Sequence, residues 1–522
     1  MQLRPVIASV SLLAGALVAL SGNTAQAAST RYEAESSPAV CTGTIDSDWA
    51  GYSGSGFCNG TNAVGAYAQF TVNAASAGTA TLNVRFANGT TSARPADITV
   101  NGSTATSASF EGTGAWSTWT TKTFTVPVAA GSNTIRLNPT GSAGLPNVDY
   151  LDAEVSGAAA GTVLYVSASG TDSAAGTESA PTTLTSAISR ITPGGTIYLR
   201  GGTYSYSSTV TVPAGTDGTS SARTTLSAYP GETPVLNFSA QSESSSNRGL
   251  QLNASYWHVY GIVVEHAGDN GIYVGGSNNV VERTVTRYNR DTGLQLGRIA
   301  SSTPSSQWPS NNLILSAESH DNADSDGEDA DGFAAKLTTG TGNVFRYDVS
   351  HNNIDDGWDL YTKTDTGAIG PVTIEYSLSY NNGTLSDGTV NSNGDRNGYK
   401  LGGDDIAVNH VVQHSIAYGN GHHGFTYNSN PGTMTISNNA SIDNAERNFS
   451  FDAGTSVFRT NTSCRFSVSG SNDKTIGDAD SSNQFWTGTN GSRCSSYSGA
   501  LGWSYASDGH LAVTFGGTVV TP

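Results

Sequence analysis

The C-terminal two thirds of the chain contain a repeat, which constrains the fold more than any other feature of the sequence. A glycine, or in the last copy an asparagine, is followed by an apolar, a variable and another apolar residue. Successive copies lie 22 to 26 residues apart, except for two longer steps. This period, with one strand per copy, predicts a β-solenoid whose coils stack about 4.8 Å apart. The copies begin at Gly249, Gly271, Gly293, Gly332, Gly357, Gly398, Gly424 and Asn448.

Two further observations support the solenoid. Leucine-rich repeats have a similar period, but they need a leucine framework that this chain lacks. In four copies an asparagine stands four residues before the first repeat residue, as expected for side chains stacked at a turn. These asparagines are Asn289, Asn353, Asn420 and Asn444.

The repeat also predicts which side chains face outward. The first and third positions after the repeat residue are almost all apolar and must point into the coil, so the position between them points outward. Asp359 and Lys400 are therefore outward neighbours on adjacent coils. The two long steps add loops, at about 297–311 and 382–397, that could wall a groove beside them. The full outward row is Gln251, Tyr273, Gln295, Ala334, Asp359, Lys400, Thr426 and Ser450.

Acidic residues are concentrated around these coils. Asp331 and Asp356 stand immediately before the repeat residue of adjacent coils, Asp355 precedes Asp356, and Asp359 lies two residues beyond the repeat residue. Like charges at this density either bind a metal ion or raise one another's pKa. Oxygen ligands without His or Cys favour a hard cation, and Ca²⁺ tolerates irregular geometry best. The alternative is a surface ion pair between Lys400 and Asp359 beside solvated carboxylates.

The N-terminal part of the chain has a different pattern. Short runs of alternating apolar and polar residues fill residues 30–155, which is typical of an antiparallel β-sandwich. A short helix over 183–191, with apolar residues at helical spacing, is expected to cap the solenoid. The predicted organisation is a signal peptide at 1–28, a β-sandwich (jelly-roll) module at 29–156, a linker at 157–162 and an all-β solenoid domain at 163–522.

The first residues contain the three parts of an export signal. Arg4 is basic, residues 6–20 are apolar, and Ala25-Gln26-Ala27 matches a small-x-small cleavage site. We therefore expect a secreted, extracellular protein. No later apolar stretch approaches the length of a transmembrane helix, so no membrane association is expected.

Cysteine spacing and net charge add two constraints. Four cysteines form two close pairs, which in an exported protein predict the disulfides Cys41–Cys58 and Cys464–Cys494. The net charge of −18 argues against nucleic acid as a partner. It also gives no long-range attraction for an acidic substrate, so local cations would have to bind one. A monomer is expected.

Four stretches of the solenoid are specific enough to suggest a family: ADGFAAKL at 330–337, HNNIDDGWDLY at 351–361, NGYKLGG at 397–403, and 409–425. They resemble polysaccharide lyase family 9, whose members include pectate lyases. The resemblance implies a right-handed parallel β-helix that cleaves de-esterified (1→4)-α-galacturonan by β-elimination to 4,5-unsaturated products. Tyr399 stands where phenylalanine is expected, which changes little because both are inward aromatics.

The same resemblance implies residue roles. Polygalacturonate or pectin of the plant cell wall would be the substrate, Ca²⁺ the cofactor and Lys400 the catalytic base. Lys336 and Arg396 are candidates for binding neighbouring substrate carboxylates, although each could equally be a plain surface charge. The calcium ligands would be Asp331, Asp355, Asp356 and Asp359.

Other functions remain open from the sequence alone. The backbone could be rhamnogalacturonan. An inverting polygalacturonase is suggested faintly by Gly-Gly-Asp-Asp at 402–405 and Gly-His-His-Gly at 421–424, although both are expected in solvent-facing turns. A non-catalytic adhesin would leave the Asp–Lys cluster without a purpose. Residues 322–327 imitate the start of an EF-hand loop, but Phe333 occupies the position that needs a bidentate Glu.

The N-terminal module has its own resemblance. Tyr32-Glu33-Ala34-Glu35, 114–119 (GAWSTW) and 147–151 (NVDYL) resemble carbohydrate-binding modules of families 6 and 35. The resemblance implies a structural calcium held by Glu33, Glu35 and a late aspartate, Asp149 or Asp152, of which Asp152 is the candidate. It also implies that sugars stack on Trp116 beside Asn147. One of Trp116 and Trp119 is expected in the core, because residues three apart in a strand lie on opposite faces.

Overall fold

A computed structural model of the protein describes residues 29–74, 78–129, 131–157 and 162–521. The chain divides into two compact units, with the boundary after Gly157. The predicted signal peptide at 1–28 and residues 158–161 of the predicted linker lie outside the described residues. No helix within the described ranges is long and apolar enough to cross a membrane.

The N-terminal unit is a sandwich of two antiparallel sheets. Alternate residues of each strand point into a shared core, which includes Phe70, Leu82 and Ile98. The predicted disulfide Cys41–Cys58 is present and joins a strand of one sheet to a strand of the other. One sheet contains Thr30–Glu33, Gly43–Asp46, Phe57–Gly60, Gly78–Ala87, Thr120–Val128 and Asn147–Gly157, and the other contains Val40–Cys41, Ala68–Ala74, Arg94–Val100, Ser103–Phe110 and Gly131–Pro139.

The C-terminal unit is a parallel β-helix with three parallel sheets along its length. The predicted repeat strands form one of them, which we call the groove sheet. Its strands are Val210–Val212, Leu250–Leu252, Ile272–Val274, Leu294–Leu296, Phe333–Ala335, Trp358–Asp359, Tyr399–Lys400, Phe425–Thr426, Phe449–Phe451 and Lys474–Thr475.

The two remaining sheets complete each coil. One contains Val163–Val166, Thr196–Leu199, Thr224–Ala228, Trp257–Tyr260, Val280–Glu282, Leu313–Leu315, Asn343–Arg346, Val372–Glu375, Val411–Gln413, Thr435–Ser437, Val457–Arg459 and Asp478–Ala479. The other contains Gly202–Ser205, Pro234–Asn237, Val263–Glu265, Val285–Arg287, Glu318–His320, Val349–His351, Leu378–Tyr380, Ile416–Tyr418, Ala440–Ile442 and Thr462–Cys464.

Inward residues of the groove sheet form an aromatic stack that holds successive coils in register. Ring centroids of neighbouring members lie 4.6 to 5.1 Å apart. Tyr399 keeps its hydroxyl paired inside the core by donating to the carbonyl of Ser377 at 3.1 Å, so the polar atom costs little on burial. The stack consists of Phe333, Trp358, Tyr399, Phe425 and Phe449.

The predicted asparagine ladder is present, and it is longer than the repeat spacing indicated. Each side-chain amide donates to the Oδ1 of the next asparagine at 2.8 to 3.0 Å. Asn322 and Asn382 also belong to it. The four-residue spacing did not identify these two asparagines, because an insertion separates each of them from its repeat residue. The ladder runs through Asn289, Asn322, Asn353, Asn382, Asn420, Asn444 and Asn448.

A helix caps the N-terminal end of the β-helix, and segments near the C-terminus pack against its side. The predicted helix spans Leu184–Arg190, with Thr183 as its N-cap, and buries Leu184, Ala187 and Ile188. Short 3₁₀ helices lie at Ser305–Gln307 and Ser492–Tyr497. Near the C-terminus the strands Leu501–Tyr505, Leu511–Phe515 and Thr518–Val520 form a small antiparallel sheet. The disulfide Cys464–Cys494 ties the last coils to the segment before that sheet, as predicted.

Candidate active site

The groove sheet brings the predicted site residues together by strand register. Asp359 pairs with Ala334 on the preceding strand and with Lys400 on the following one. All three side chains therefore point outward on consecutive coils, as the repeat predicted. Lys400 and Asp359 are nevertheless only 8% and 3% exposed, because the insertions beside them form walls.

Three of the four predicted ligands form a tight carboxylate cluster. Asp331, Asp355 and Asp356 are buried, and one oxygen from each lies within 4.8 Å of the others. Backbone and side-chain donors orient them: the amide N–H of Asn397 donates to Asp356 Oδ1 at 2.6 Å, and that of Arg396 donates to Asp355 Oδ1 at 3.1 Å. The cluster is therefore held by both its own coils and the insertion at 382–397.

Burial acts strongly on this cluster. It raises the pKa of the Asp331, Asp355 and Asp356 carboxyl groups well above the ordinary value, and the neighbouring carboxylates raise it further. Asp356 Oδ2 is buried without a hydrogen-bond partner. Lys400 Nζ lies 3.3 Å from this oxygen as an ion-pair partner. Three buried carboxylates facing one another are nevertheless the environment that a cation would relieve.

Two lysines contact the cluster from the groove side. Lys400 Nζ lies 2.9 Å from Asp395, 3.3 Å from Asp356 and 3.8 Å from Asp359. Burial lowers the pKa of Lys400, but the carboxylates of Asp359 and its neighbours outweigh burial and raise the pKa above its ordinary value.

Lys336 occupies the opposite side of the same cluster. Its Nζ lies 2.8 Å from Asp331 and 3.4 Å from Asp359. Burial lowers its pKa and these carboxylates raise it well above the ordinary value. The predicted substrate-binding lysine thus already serves as the counter-ion of a predicted metal ligand.

Arg396 is placed differently from Lys336. It lies in the insertion at 382–397 with φ of 57°, and its side chain packs beside Gly383 and Gly421. It does not line the cavity that contains Lys400. Arg396 contributes to the site through its backbone, because its N–H donates a hydrogen bond to Asp355 Oδ1.

A cavity of about 410 Å³ opens over Asp359 and the two lysines; we call it the central cavity. Asp395 also faces this cavity, although no sequence pattern indicated it, because it belongs to an insertion without periodicity. The central cavity is lined by Glu328, Asp329, Lys336, Leu337, Asp359, Tyr361, Lys363, Asn393, Asp395 and Lys400.

The segments that suggested a hydrolase lie outside the central cavity. Asp404 and Asp405 adopt positive φ in a turn, and Asp404 accepts hydrogen bonds from Tyr361 and Thr364. His422 bonds Glu446 at 2.8 Å. The expectation that His423 faces solvent is wrong: it is 9% exposed, because it stacks on His422 with ring centroids 3.8 Å apart.

The sequence matches one family over more than half of the chain. The Pel9A-like, right-handed beta helix region matches residues 164–462. The chain belongs to this family. Its membership confirms the predicted right-handed β-helix and the resemblance to family 9 lyases.

Two relatives and one solved structure are similar to this chain in detail. Pectate lyase L of Paenibacillus polymyxa (strain SC2) is 58% identical over 305 residues, covering 58% of this chain and 67% of that protein. Pectate lyase L of Thermoclostridium stercorarium is 46% identical over 290 residues, but only 23% of its length is covered. The crystal structure of pectate lyase Pel9A matches with a TM-score of 0.57 at 30% identity, covering 68% of this chain and 88% of that chain.

The N-terminal module also has a family match, to carbohydrate binding module family 6, over residues 33–154. The structure brings some of its candidate calcium ligands together and places one of them elsewhere. Ser53 Oγ donates to Glu33 at 2.7 Å and contacts Asp149 at 3.3 Å, and buried Glu35 Oε2 has no hydrogen-bond partner. Asp152 instead pairs with Arg31 at 2.8 Å. Asp149, not Asp152, is therefore the aspartate beside Glu33.

The module's two candidate stacking residues lie in a loop. Trp116 and Trp119 are both half-buried and precede the strand that begins at Thr120. The expectation that one of them is a core residue is wrong, because strand alternation does not apply in a loop. Trp119 packs edge-on against Phe57 and donates to the carbonyl of Ala50 at 3.1 Å. Trp116 packs over Gly89, and Asn147 is buried at the start of its strand.

Proposed function

We propose that this protein is a secreted, calcium-dependent pectate lyase that cleaves de-esterified (1→4)-α-galacturonan by β-elimination and releases 4,5-unsaturated oligogalacturonides. One observation carries the proposal. In a chain of the Pel9A-like family, strand register places Lys400 beside Asp359 and a buried cluster of three further carboxylates at the base of an open groove.

The residues of the cluster fit a calcium ion. All candidate ligands are carboxylate oxygens, which a hard cation prefers, and one oxygen each of Asp331, Asp355 and Asp356 lies within 4.8 Å of the others in a buried cluster. When bound, Ca²⁺ supplies positive charge that neutralises the ligands and the substrate carboxylate, which acidifies the C5 proton and lowers the pKa of the adjacent lysine. The ligands we propose are Asp331, Asp355, Asp356 and Asp359.

Lys400 acts in this mechanism as the base. Its amine faces the central cavity and, when neutral, accepts the C5 proton of the uronate. The electron pair of the C5–H bond forms the C4–C5 double bond as the C4–O bond breaks, and the departing oxygen takes a proton from water to become the hydroxyl of a new reducing end. Lys336 and Asp395 position the amine and the ligands: Lys336 balances Asp331 and Asp359, and Asp395 contacts Lys400 directly.

A direct assay tests the proposal. Incubation with polygalacturonate and Ca²⁺ should produce the ultraviolet absorbance of a 4,5-unsaturated uronate. An inverting polygalacturonase would release reducing ends without absorbance, and an adhesin would do neither. Rhamnogalacturonan run in parallel separates the remaining alternative: absorbance from it alone would replace galacturonan as the backbone.

The remaining features of the proposal concern location and targeting. The export pattern of the first residues supports secretion, and we propose an extracellular monomer that acts on pectin without a nucleic-acid or membrane partner. The family 6 match supports a module that binds cell-wall polysaccharide. In that module we propose a structural calcium at Glu33, Glu35 and Asp149, with Trp116 and Asn147 as sugar contacts.

A further inference from the structure

The central cavity is the middle of a longer groove along the outward face of the groove sheet. On the N-terminal side it shares Lys336 and Leu337 with a second cavity of about 330 Å³, which we call the cationic cavity. On the C-terminal side it shares Asp395 with a third, of about 230 Å³, which we call the acidic cavity.

The two ends differ in charge. Arg248, Arg298 and Lys336 line the cationic cavity, and no carboxylate among the described residues lines it. The acidic cavity is lined by Asp395 and Asp452, without a Lys or Arg in the described part of the chain. Lys400 pairs with Asp395 and Lys474 pairs with Asp452, each at 2.9 Å, so the acidic cavity gives a polyanion no net attraction, whereas the cationic cavity does.

Arg298 is available to bind a ligand. Its guanidinium makes no ion pair or hydrogen bond within the ranges that the structure describes, and its side chain is half-buried. Its backbone is held from two sides: Tyr273 Oη donates to its carbonyl at 2.9 Å, and its N–H donates to Thr338 Oγ1 at 3.1 Å. The ordered backbone fixes the point from which the side chain extends, and a guanidinium matches a carboxylate geometrically in a bidentate pair.

Arg248 supplies a second cation at the same place. Its guanidinium lies 3.4 Å from the ring centroid of Tyr273, and its Nε lies 3.3 Å from Asp269. The ring and the carboxylate fix its position but leave it facing the cavity. Tyr273 therefore supports both arginines, by its ring and by its hydroxyl.

We propose that the cationic cavity is a distal subsite in which Arg298, with Arg248, binds the carboxylate of a galacturonate residue away from the cleaved bond. The proposal rests on the proposed function, since it takes a polyuronate as the ligand of the groove. Arg298 follows the strand Leu294–Leu296, three strands before Tyr399–Lys400, so the subsite lies about 14 Å from the base. The acidic cavity leaves the opposite end without an equivalent cation.

Steady-state kinetics of the full-length protein with Ca²⁺ test the subsite. Arg298→Gln should raise KM for hexagalacturonate about tenfold, the size of one charge-assisted hydrogen bond, with kcat nearly unchanged. KM for trigalacturonate and for methyl-esterified pectin should stay within about twofold. Arg290→Gln is the matched control, because Arg290 is an exposed arginine in the same coil, before the strand Leu294–Leu296, and lines none of the three cavities.

Two outcomes would overturn the subsite: no difference between the two variants, or an equal rise in KM at every chain length, which would indicate only a general field effect. Calorimetric titration with hexagalacturonate compares Lys400→Ala with the Lys400→Ala/Arg298→Gln double variant. It measures binding without turnover, so it tests the subsite independently of the proposed function. Both variants keep the carbohydrate-binding module, so its contribution cancels. If the wild-type protein forms no unsaturated product, the proposed function fails, but weaker binding by the Arg298 variant alone would still support the subsite.

Discussion

At the scale of single residues, Lys400 gives the sharpest test of the mechanism. Lys400→Ala should reduce kcat by about 10²- to 10⁴-fold, the usual contribution of a general base. Lys400→Arg should lose nearly as much, because a guanidinium keeps the charge but is not deprotonated in a protein. The measurement is the initial rate of absorbance increase on polygalacturonate at saturating Ca²⁺.

A second lysine on the same sheet provides the control for that pair. Lys474 points outward at the end of the groove sheet and pairs with Asp452 at 2.9 Å, so Lys474→Arg should keep full activity. Since Lys400 is buried among carboxylates, melting temperatures with Ca²⁺ must show that each variant is folded. A folded Lys400→Arg protein with more than a few per cent of wild-type kcat would place the base elsewhere, with Lys336 the next to test.

Asp356 tests the metal site. Asp356→Asn removes one charge from the ligand cluster while preserving its shape, so the Ca²⁺ concentration for half-maximal activity should rise at least about tenfold. Chelation should abolish wild-type activity, and Ca²⁺ should restore it better than Mg²⁺, which demands tighter octahedral geometry. Asp365→Asn, an exposed carboxylate, is the control. An unchanged calcium requirement would remove Asp356 from the ligand set.

At the scale of structural elements, hydrogen bonds between stacked turns hold the β-helix together. In one row of these turns, Asp348 occupies a position where another coil has an asparagine. Its Oδ1 accepts from the N–H of Ala317 at 2.8 Å, whereas its buried Oδ2 has no hydrogen-bond partner. In the same row Asn439 uses its side-chain amide to donate to Asn461 and to the carbonyl of Val412. Asp348 can make such a donation only when it is protonated.

This difference predicts a pH-dependent stability. Burial raises the pKa of Asp348 well above its ordinary value, so its contribution to folding is fully present below about pH 4. As pH rises from there to the higher native pKa, the free energy of unfolding falls by about 1.4 kcal/mol per pH unit, and above the native pKa the contribution is lost. Asp348→Asn should therefore be more stable than wild type at pH 8 and lose this advantage toward pH 4. Urea unfolding at several pH values measures it, and parallel curves for the two proteins would contradict it.

At the scale of the whole molecule, the two units are expected to divide binding and catalysis. Removing residues 29–156 should reduce activity on plant cell wall several-fold more than activity on soluble polygalacturonate. Attachment to an insoluble wall raises the local concentration of substrate at the catalytic unit, whereas a soluble substrate reaches it by diffusion. Product release from both substrates by full-length and truncated protein measures this. Equal losses on both substrates would count against a targeting role. Trp116→Ala, if folded, should reproduce the wall-specific loss.

Much of the site could be predicted from the sequence because the β-helix repeats. Each coil adds one strand in parallel register, so the position of a residue within its copy determines which residue lies beside it on the next. That relation alone placed Asp359 beside Lys400 and Asp331 near Asp356. The two disulfides could also be predicted from the sequence, because each joins cysteines that are close in sequence.

Tertiary structure decided what the insertions do, because a loop without periodicity gives no register to extrapolate. Only the folded chain brings Asp395 to Lys400, turns Arg396 away from the central cavity, and aims Arg298 into the groove. It also showed Asn322 and Asn382 in the ladder and Asp149 rather than Asp152 beside Glu33. The sequence by itself thus determined the coil and its outward row, while long-range packing of the loops determined the burial, the charge balance and the walls of the site.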